Sequence, residues 1–302
     1  MKDNTTLGHL SAFLTILLWG TTFISTKVLL DDFSPVEILM IRFLIGYLCL
    51  WLVYPRKILF RAFKEEWLFI GAGLCGVTLY FLCENYALDY SLASNVGVIV
   101  AIAPLFTAIL SSIFLKEDKL SPLFLTGFLL SITGIILISF NGSFILKLNP
   151  LGDVLAVLAA AVWAMYSIFM RKISRLQLNT IGVTRKIFFY GLIFMAPVLL
   201  LTGFDVKAAQ FFNLKNLLNL LFLGMGASAI CYVTWNWSVG ILGAVKTSVY
   251  IYLIPVIAVV ASAVILHEEI TWVAITGSLL TLLGLYLSEG KLNFKNNESQ
   301  AK

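Results

Sequence analysis

Charged residues and histidines are scarce in this sequence, and their scarcity limits the classes of protein it could encode. Of 302 residues, 12% are charged and 2 are His. No DxxD or HxxH pattern occurs, and no Gly-rich loop ends in Lys followed by Ser or Thr. Enzymes at a membrane face need positioned acid, base or metal groups, and ATP-driven pumps need a nucleotide loop. We therefore regard an enzyme as a remote alternative and exclude primary pumping by this chain alone.

Cysteine is also rare and shows no pairing pattern. The sequence has 4 Cys residues, and all lie in apolar stretches without a CxxC motif. Buried free cysteines usually act as small hydrophobic side chains. We expect no disulfide, no metal site and no cofactor.

Apolar residues dominate instead. They make up 60% of the chain, and the mean hydropathy is +0.95. A helix needs about 20 apolar residues to cross a hydrocarbon core of about 30 Å. Ten stretches meet this length, at 10–30, 36–54, 67–87, 93–115, 121–140, 153–171, 182–202, 217–239, 246–266 and 270–289. The sequence predicts an all-α integral membrane protein with ten transmembrane helices.

The second half of the chain repeats the first. A shift of 144 aligns Trp19 with Trp163, and a shift of 151 aligns Asn85 with Asn236. A shift of about 150 also pairs glycines and prolines, namely Pro104 with Pro255, Gly127 with Gly277 and Gly134 with Gly284. Each half has five predicted spans, an odd number, so the two five-helix repeats must be inverted in the membrane. The predicted units are the repeats 7–140 and 151–290 and a short polar cytoplasmic tail, 291–302.

Basic residues in the loops predict the orientation, because Lys and Arg are retained on the cytoplasmic side. With the N-terminus inside, 16 of the 21 Lys and Arg residues are cytoplasmic and 3 are external. We expect a multi-pass protein of the cell (inner or plasma) membrane with both termini in the cytoplasm. The net charge of +5 reflects this bias and attraction to anionic lipid, and no nucleic-acid partner is expected.

Four stretches resemble a known family. They are Leu-Leu-Trp-Gly-Thr-Thr-Phe at 17–23, the Pro and Arg-Phe positions within 35–43, Leu-Lys-Glu at 115–117 and Leu-His-Glu-Glu at 266–269. The resemblance is to the EamA family of the drug/metabolite transporter superfamily and covers about residues 7–290. It implies a secondary transporter, often an exporter of amino acids or other small metabolites, with its helices around a central cavity. The superfamily also contains sugar-phosphate and nucleotide-sugar exchangers and drug efflux carriers.

Candidate substrate-binding residues are those near the middle of the membrane, where inverted repeats meet. Trp19 and Trp163 lie near the centres of their helices and could stack on a substrate or bind its cation, or could fill the core between helices. Glu84 and Asn85 lie near the outer end of an apolar helix, with Tyr80 one turn away. Glu84 could bind an amine or a coupling proton, or could be a wetted interfacial carboxylate. We interpret Arg42 as a structural anchor.

A second polar group is predicted toward the cytoplasmic side. Asn236 and Lys246 flank the hairpin between the eighth and ninth spans, and Tyr250 is one helical turn after Lys246. A cation next to a phenol could bind a carboxylate or phosphate, or could be an interfacial anchor. The sugar-phosphate branch has adjacent basic residues at a similar place, whereas here Thr247 follows Lys246. This difference counts against a phosphate substrate.

Two prolines inside predicted helices indicate bends. Pro104 and Pro255 each remove a backbone hydrogen bond about ten residues into a span. Each could line the pathway as a hinge, or could be a static kink. The function expected from the sequence is alternating-access export of a small-molecule substrate, with a proton as candidate coupling ion, by a monomer or weak dimer embedded in membrane lipid.

Overall fold

The computed structural model describes residues 2–56, 58, 62–91, 93–116, 121–140, 149–203, 205, 208–266 and 271–290. All regular structure in these residues is helical, which confirms the all-α prediction. The predicted tail, 291–302, lies outside the described residues. The helices are α1 (Lys2–Leu29), α2 (Pro35–Val53), α3 (Phe63–Gly73), α4 (Tyr80–Tyr90), α5 (Ala93–Val100), α6 (Ala103–Phe114), α7 (Pro122–Phe140), α8 (Pro150–Ser174), α9 (Thr180–Thr202), α10 (Ala208–Phe212), α11 (Leu214–Leu221), α12 (Cys231–Leu242), α13 (Ala244–Ser248), α14 (Leu253–Leu266) and α15 (Trp272–Gly290).

Three further segments differ from the α-helix. Leu74–Leu79 and Phe222–Ile230 are π-helical, and we call them the first and second π segments; Val249–Tyr252 is a 3-10 helix. Each π segment joins two α-helices into one continuous rod, α3 with α4 and α11 with α12.

The helices are long and apolar enough for a membrane protein. Among the described residues, 8 helical stretches have the length and hydropathy of membrane spans, and Trp272–Ser288 is a shorter apolar helix. Helix α1 has 28 residues and is not one of the eight. The exact number of ten spans therefore stays a prediction.

Local sequence signals begin several helices. Ser34 caps α2: its hydroxyl accepts from the Glu37 backbone N–H at 3.4 Å, and the Glu37 carboxylate accepts from the Ser34 N–H at 2.8 Å. Asn149, Asn179 and Asn213 cap α8, α9 and α11 in the same way with their side-chain oxygens. Such caps satisfy backbone N–H groups that have no partner within the helix.

The two halves of the chain are interleaved in the packed core. Helix α1 packs on α12 and α14, α2 packs on α9 and the second π segment, and α4 packs on α8. Side chains from both halves therefore meet in the middle of the bundle.

Helices α7 and α15 form an outlying pair whose backbones almost touch. A methyl group on Gly134 would lie 2.4 Å from the Gly277 carbonyl oxygen, and one on Gly127 would lie 2.5 Å from that of Gly284. Small residues permit such close packing in membranes, where dispersion contacts replace the hydrophobic effect. The opposite faces are exposed and apolar; Leu279, for example, is 62% exposed. These faces are suited to contact with lipid.

Candidate substrate site

The two π segments create matching backbone acceptors near the centre of the protein. The wider turn of a π-helix disturbs the regular i to i−4 hydrogen bonds, and such segments are frequent at functional sites. The Gly76 carbonyl in the first segment accepts from the Tyr232 hydroxyl at 2.7 Å. The Ala227 carbonyl in the second segment accepts from Trp19 Nε1 at 2.9 Å. Positions 76 and 227 are 151 apart, which is the offset of the repeat.

Six aromatic rings from four helices pack around these acceptors. We call this group the aromatic cluster; it consists of Trp19 on α1, Tyr80 on α4, Trp163 and Tyr166 on α8, and Tyr232 and Trp235 on α12. Trp19 and Trp163 meet edge to face, with ring centroids 5.5 Å apart. Trp19 lies 5.2 Å from Trp235, and Trp163 lies 5.0 Å from Tyr80. The structure thus brings together the two Trp residues that the repeat pairs.

Hydrogen bonding within the aromatic cluster is unequal. Trp163 is 5% exposed and Trp235 is 0% exposed, yet within the described residues neither indole N–H has an acceptor. Trp19, by contrast, is half-buried and donates to Ala227. An unpaired buried donor costs free energy, so such groups are uncommon unless they serve a purpose. The cluster therefore offers two unused N–H donors.

Glu84 is linked to the aromatic cluster through Tyr80. The Tyr80 hydroxyl donates to Glu84 Oε1 at 2.8 Å, and both residues are half-buried. Asn85 is also half-buried. It is the next residue on the helix, so its side chain points about 100° away from that of Glu84.

Asn236 lies beside the aromatic cluster and holds three helices together. Its Oδ1 accepts from the Tyr166 hydroxyl at 2.6 Å, and its Nδ2 donates to Thr184 Oγ1 at 3.0 Å. The side chain is 2% exposed. In this arrangement the amide positions α8 and α9 against α12.

The structure places Tyr250 away from the aromatic cluster. The Tyr250 hydroxyl and His9 Nδ1 are 2.8 Å apart. His9 precedes Trp19 by ten residues on α1, which corresponds to about 15 Å along the axis. Lys246 is half-buried on α13, and Tyr250 lies in the 3-10 segment that follows. The shared face of Lys246 and Tyr250 stays a prediction.

Both prolines follow an interruption in the helix. Pro104 is buried in the first turn of α6, directly after the turn at residues 101–102 that separates α6 from α5. Pro255 is the third residue of α14, which follows the 3-10 segment. Proline in a first turn removes no intrahelical hydrogen bond, because that N–H has no partner there.

Arg42, which the sequence analysis interprets as a structural anchor, lies near the aromatic cluster. It is 6% exposed, and its Nε donates to Ser228 Oγ at 2.9 Å. Its guanidinium carbon lies 5.4 Å from the ring centres of both Phe43 and Phe81. The available signal was an Arg within an apolar span, which marks a functional position in many membrane proteins.

No metal centre is found in the part of the chain that the structure describes, since no three His, Cys, Asp or Glu side chains are grouped there. The chemistry of the site is therefore that of aromatic faces, N–H donors, one carboxylate and one guanidinium.

Comparisons with known proteins agree with this architecture. The sequence profile of the EamA-like transporter family matches residues 6–140 and 150–289. An uncharacterized transporter of Archaeoglobus fulgidus is 29% identical over 288 residues, covering 94% of this chain and 97% of the relative. A protein of Escherichia coli K12 named "Probable amino-acid metabolite efflux pump" is 25% identical, covering 92% of this chain and 93% of the relative.

A solved crystal structure shares the fold, with a TM-score of 0.77 at 21% identity and coverage of 95% of this chain and 98% of that one. The family profile matches twice, once in each half of the chain, which confirms the two-repeat architecture predicted from the sequence. This protein belongs to the EamA-like transporter family.

Proposed function

We propose that this transporter exports small amphipathic metabolites, most specifically amino acids or related amines, by alternating access. The observation that carries the proposal is the aromatic cluster, which lies where the two repeats meet and has two unused indole donors and Glu84 at its edge. Aromatic faces accept apolar side chains and ammonium groups, and a few polar atoms orient the substrate. The name of the Escherichia coli relative supports this substrate class.

The unequal hydrogen bonds supply a mechanism for alternation. Trp19 donates to Ala227, whereas within the described residues the indole N–H of its repeat partner Trp163 has no acceptor. The Tyr232 hydroxyl donates to the Gly76 carbonyl. Inverted repeats change access by exchanging conformations. In the opposite state Trp163 donates to Gly76 and Trp19 releases Ala227. The opposite state thus loses the Trp19–Ala227 hydrogen bond and gains the equivalent Trp163–Gly76 bond, so the two states are close in free energy.

Transport by reconstituted liposomes tests the proposal. The purified protein should move labelled amino acids or amines, screened with and without a pH gradient. Glu84→Gln should weaken amine binding or remove the pH dependence if Glu84 binds an ammonium group or the coupling proton. Glu65→Gln is the matched control, because it makes the same change at a carboxylate in the first turn of α3, outside the aromatic cluster. Unchanged flux and pH dependence in Glu84→Gln would remove the carboxylate from the site.

Other substrates of the superfamily are the second candidates. A sugar-phosphate or nucleotide-sugar exchanger would need more cationic groups than Arg42 and Lys246. A drug efflux carrier would use the aromatic cluster without Glu84. Labelled sugar phosphates and lipophilic cations belong in the same liposome screen. Enzymatic activity is the remote alternative, because the aromatic cluster has no arrangement of acid, base and metal groups.

Lys246 and Tyr250 contribute a second polar group at the cytoplasmic end of the pathway in this proposal. Both termini lie in the cytoplasm, the protein resides in the cell membrane, and it acts as a monomer or weak dimer. Protease protection of tags at the two termini tests the orientation. Light scattering in detergent tests the oligomeric state.

A further inference from the structure

We infer that Arg42 is a substrate-binding residue that recognises a carboxylate, and that with Glu84 it selects zwitterions over singly charged analogues. This inference rests on the proposed function. It assigns the carboxylate of the substrate to Arg42, a residue that the sequence analysis did not include among the substrate-binding residues.

The first argument is the position of Arg42. Arg42 donates to Ser228, and Trp19 donates to the adjacent Ala227, so both side chains bind neighbouring residues of the second π segment. Arg42 also lies against Phe43, whose ring is 5.7 Å from that of Tyr232. Arg42 therefore borders the aromatic cluster.

The second argument concerns the positive charge of Arg42. In the described part of the chain, the acceptor of the Arg42 hydrogen bond is a neutral hydroxyl, and no carboxylate forms an ion pair with it. A buried cation that forms no direct ion pair is costly, and proteins rarely keep one without a role. Ser228 accepts from one of the five N–H donors of the guanidinium. The remaining donors lie in one plane and match the two oxygens of a carboxylate.

Lys186 provides an internal comparison, because it occupies the position 144 residues later that corresponds to Arg42. Lys186 Nζ is 2.7 Å from Glu66 Oε2, and the Tyr190 hydroxyl also donates to Glu66. Lys186 in the second repeat is thus paired with a carboxylate of the protein, whereas in the described residues no carboxylate lies within ion-pair distance of Arg42. The difference indicates that a ligand supplies the anion for Arg42.

Glu84 supplies the complementary charge. The Tyr80 hydroxyl holds the Glu84 carboxylate at the edge of the aromatic cluster with a 2.8 Å hydrogen bond. Tyr80 and Phe81 are neighbours with ring centres 5.0 Å apart, and Phe81 lies under the Arg42 guanidinium. A cation and an anion on one aromatic wall fit a molecule that carries both an ammonium and a carboxylate group.

Three labelled probes with one aromatic ring test this inference in liposomes: L-phenylalanine, phenethylamine and 3-phenylpropionate. Arg42→Gln should lower transport of L-phenylalanine and 3-phenylpropionate at least tenfold relative to phenethylamine. Glu84→Gln should lower phenethylamine relative to 3-phenylpropionate. Lys186→Gln is the matched control, since it removes a positive charge at the corresponding position and should leave the ratio of the three probes unchanged.

The outcomes separate this inference from the proposed function. If the wild-type protein transports neither L-phenylalanine nor phenethylamine, the proposed amino acid and amine function fails. If it transports them and Arg42→Gln lowers transport of all three probes equally, Arg42 does not recognise the carboxylate. Should Arg42→Gln fail to fold, Arg42→Lys decides, because it keeps the positive charge but loses the paired N–H donors of the guanidinium. It should lower transport of L-phenylalanine relative to phenethylamine, and an unchanged ratio overturns the inference.

Discussion

Removing a single N–H group from Trp19 or from Trp163 should have very different effects on stability. The residue 3-benzothienylalanine replaces the indole N–H by sulfur and keeps the size and shape of the ring. At Trp19 it deletes the 2.9 Å bond to the Ala227 carbonyl, which costs about 0.5–1.5 kcal/mol. At Trp163 no bond is lost, because within the described residues its N–H has no acceptor. That substitution should be neutral or slightly stabilising.

The free energy of unfolding in detergent, measured by denaturant titration on both variants, checks this difference. Because ring size is unchanged, packing losses should be nearly equal and the gap between variants reports the hydrogen bond. Equal stabilities, or a less stable Trp163 variant, would contradict the assigned bonding. Transport adds a second readout: in the proposed mechanism the Trp163 variant loses a hydrogen bond of the opposite state, which shifts the equilibrium between the two states by about 2- to 13-fold. The Trp163 variant should therefore export slowly although it is stable.

Two further predictions concern contacts outside the aromatic cluster. Gly134→Ala should cost about 1–3 kcal/mol by overpacking, because its methyl group would lie 2.4 Å from the Gly277 carbonyl oxygen. The control Gly97→Ala should not destabilise, since nothing lies within 4 Å of a methyl group there; similar melting temperatures for the two variants would contradict the close packing. Glu66→Gln should cost about 3 kcal/mol by leaving Lys186 an unpaired cation, and changing both residues to Met should recover most of it. No recovery in the double variant, in the same denaturation assay, would show that the pair is not the cause.

Sequence reasoning identified the helices and the meeting of the repeats because these depend on patterns visible in one dimension. A run of about 20 apolar residues must be a helix in lipid, since backbone groups have no other partner there. The paired Trp19 and Trp163 do meet, and the paired glycines do allow α7 and α15 to approach.

The π segments and the surroundings of Arg42 were not predictable in this way. A π-helix needs one extra residue per turn, and the glycines at 73–76 and 224–226 are equally compatible with ordinary packing. Arg42 and Lys186 look alike in an alignment of the two halves. Their difference depends on Glu66, which is distant in sequence and close to Lys186 only in the fold.

The sequence by itself determined that this protein is helical, embedded in lipid and built from two repeats, because hydropathy and duplication act along the chain. The tertiary structure alone decided which polar groups share a site. It placed Glu84 beside the aromatic cluster, where Tyr80 donates to it, and brought Tyr250 to His9 elsewhere. The physical reason is that a hydrogen bond or ion pair acts over about 3 Å, and the packing angles and π turns that set such distances arise from contacts between helices far apart in sequence.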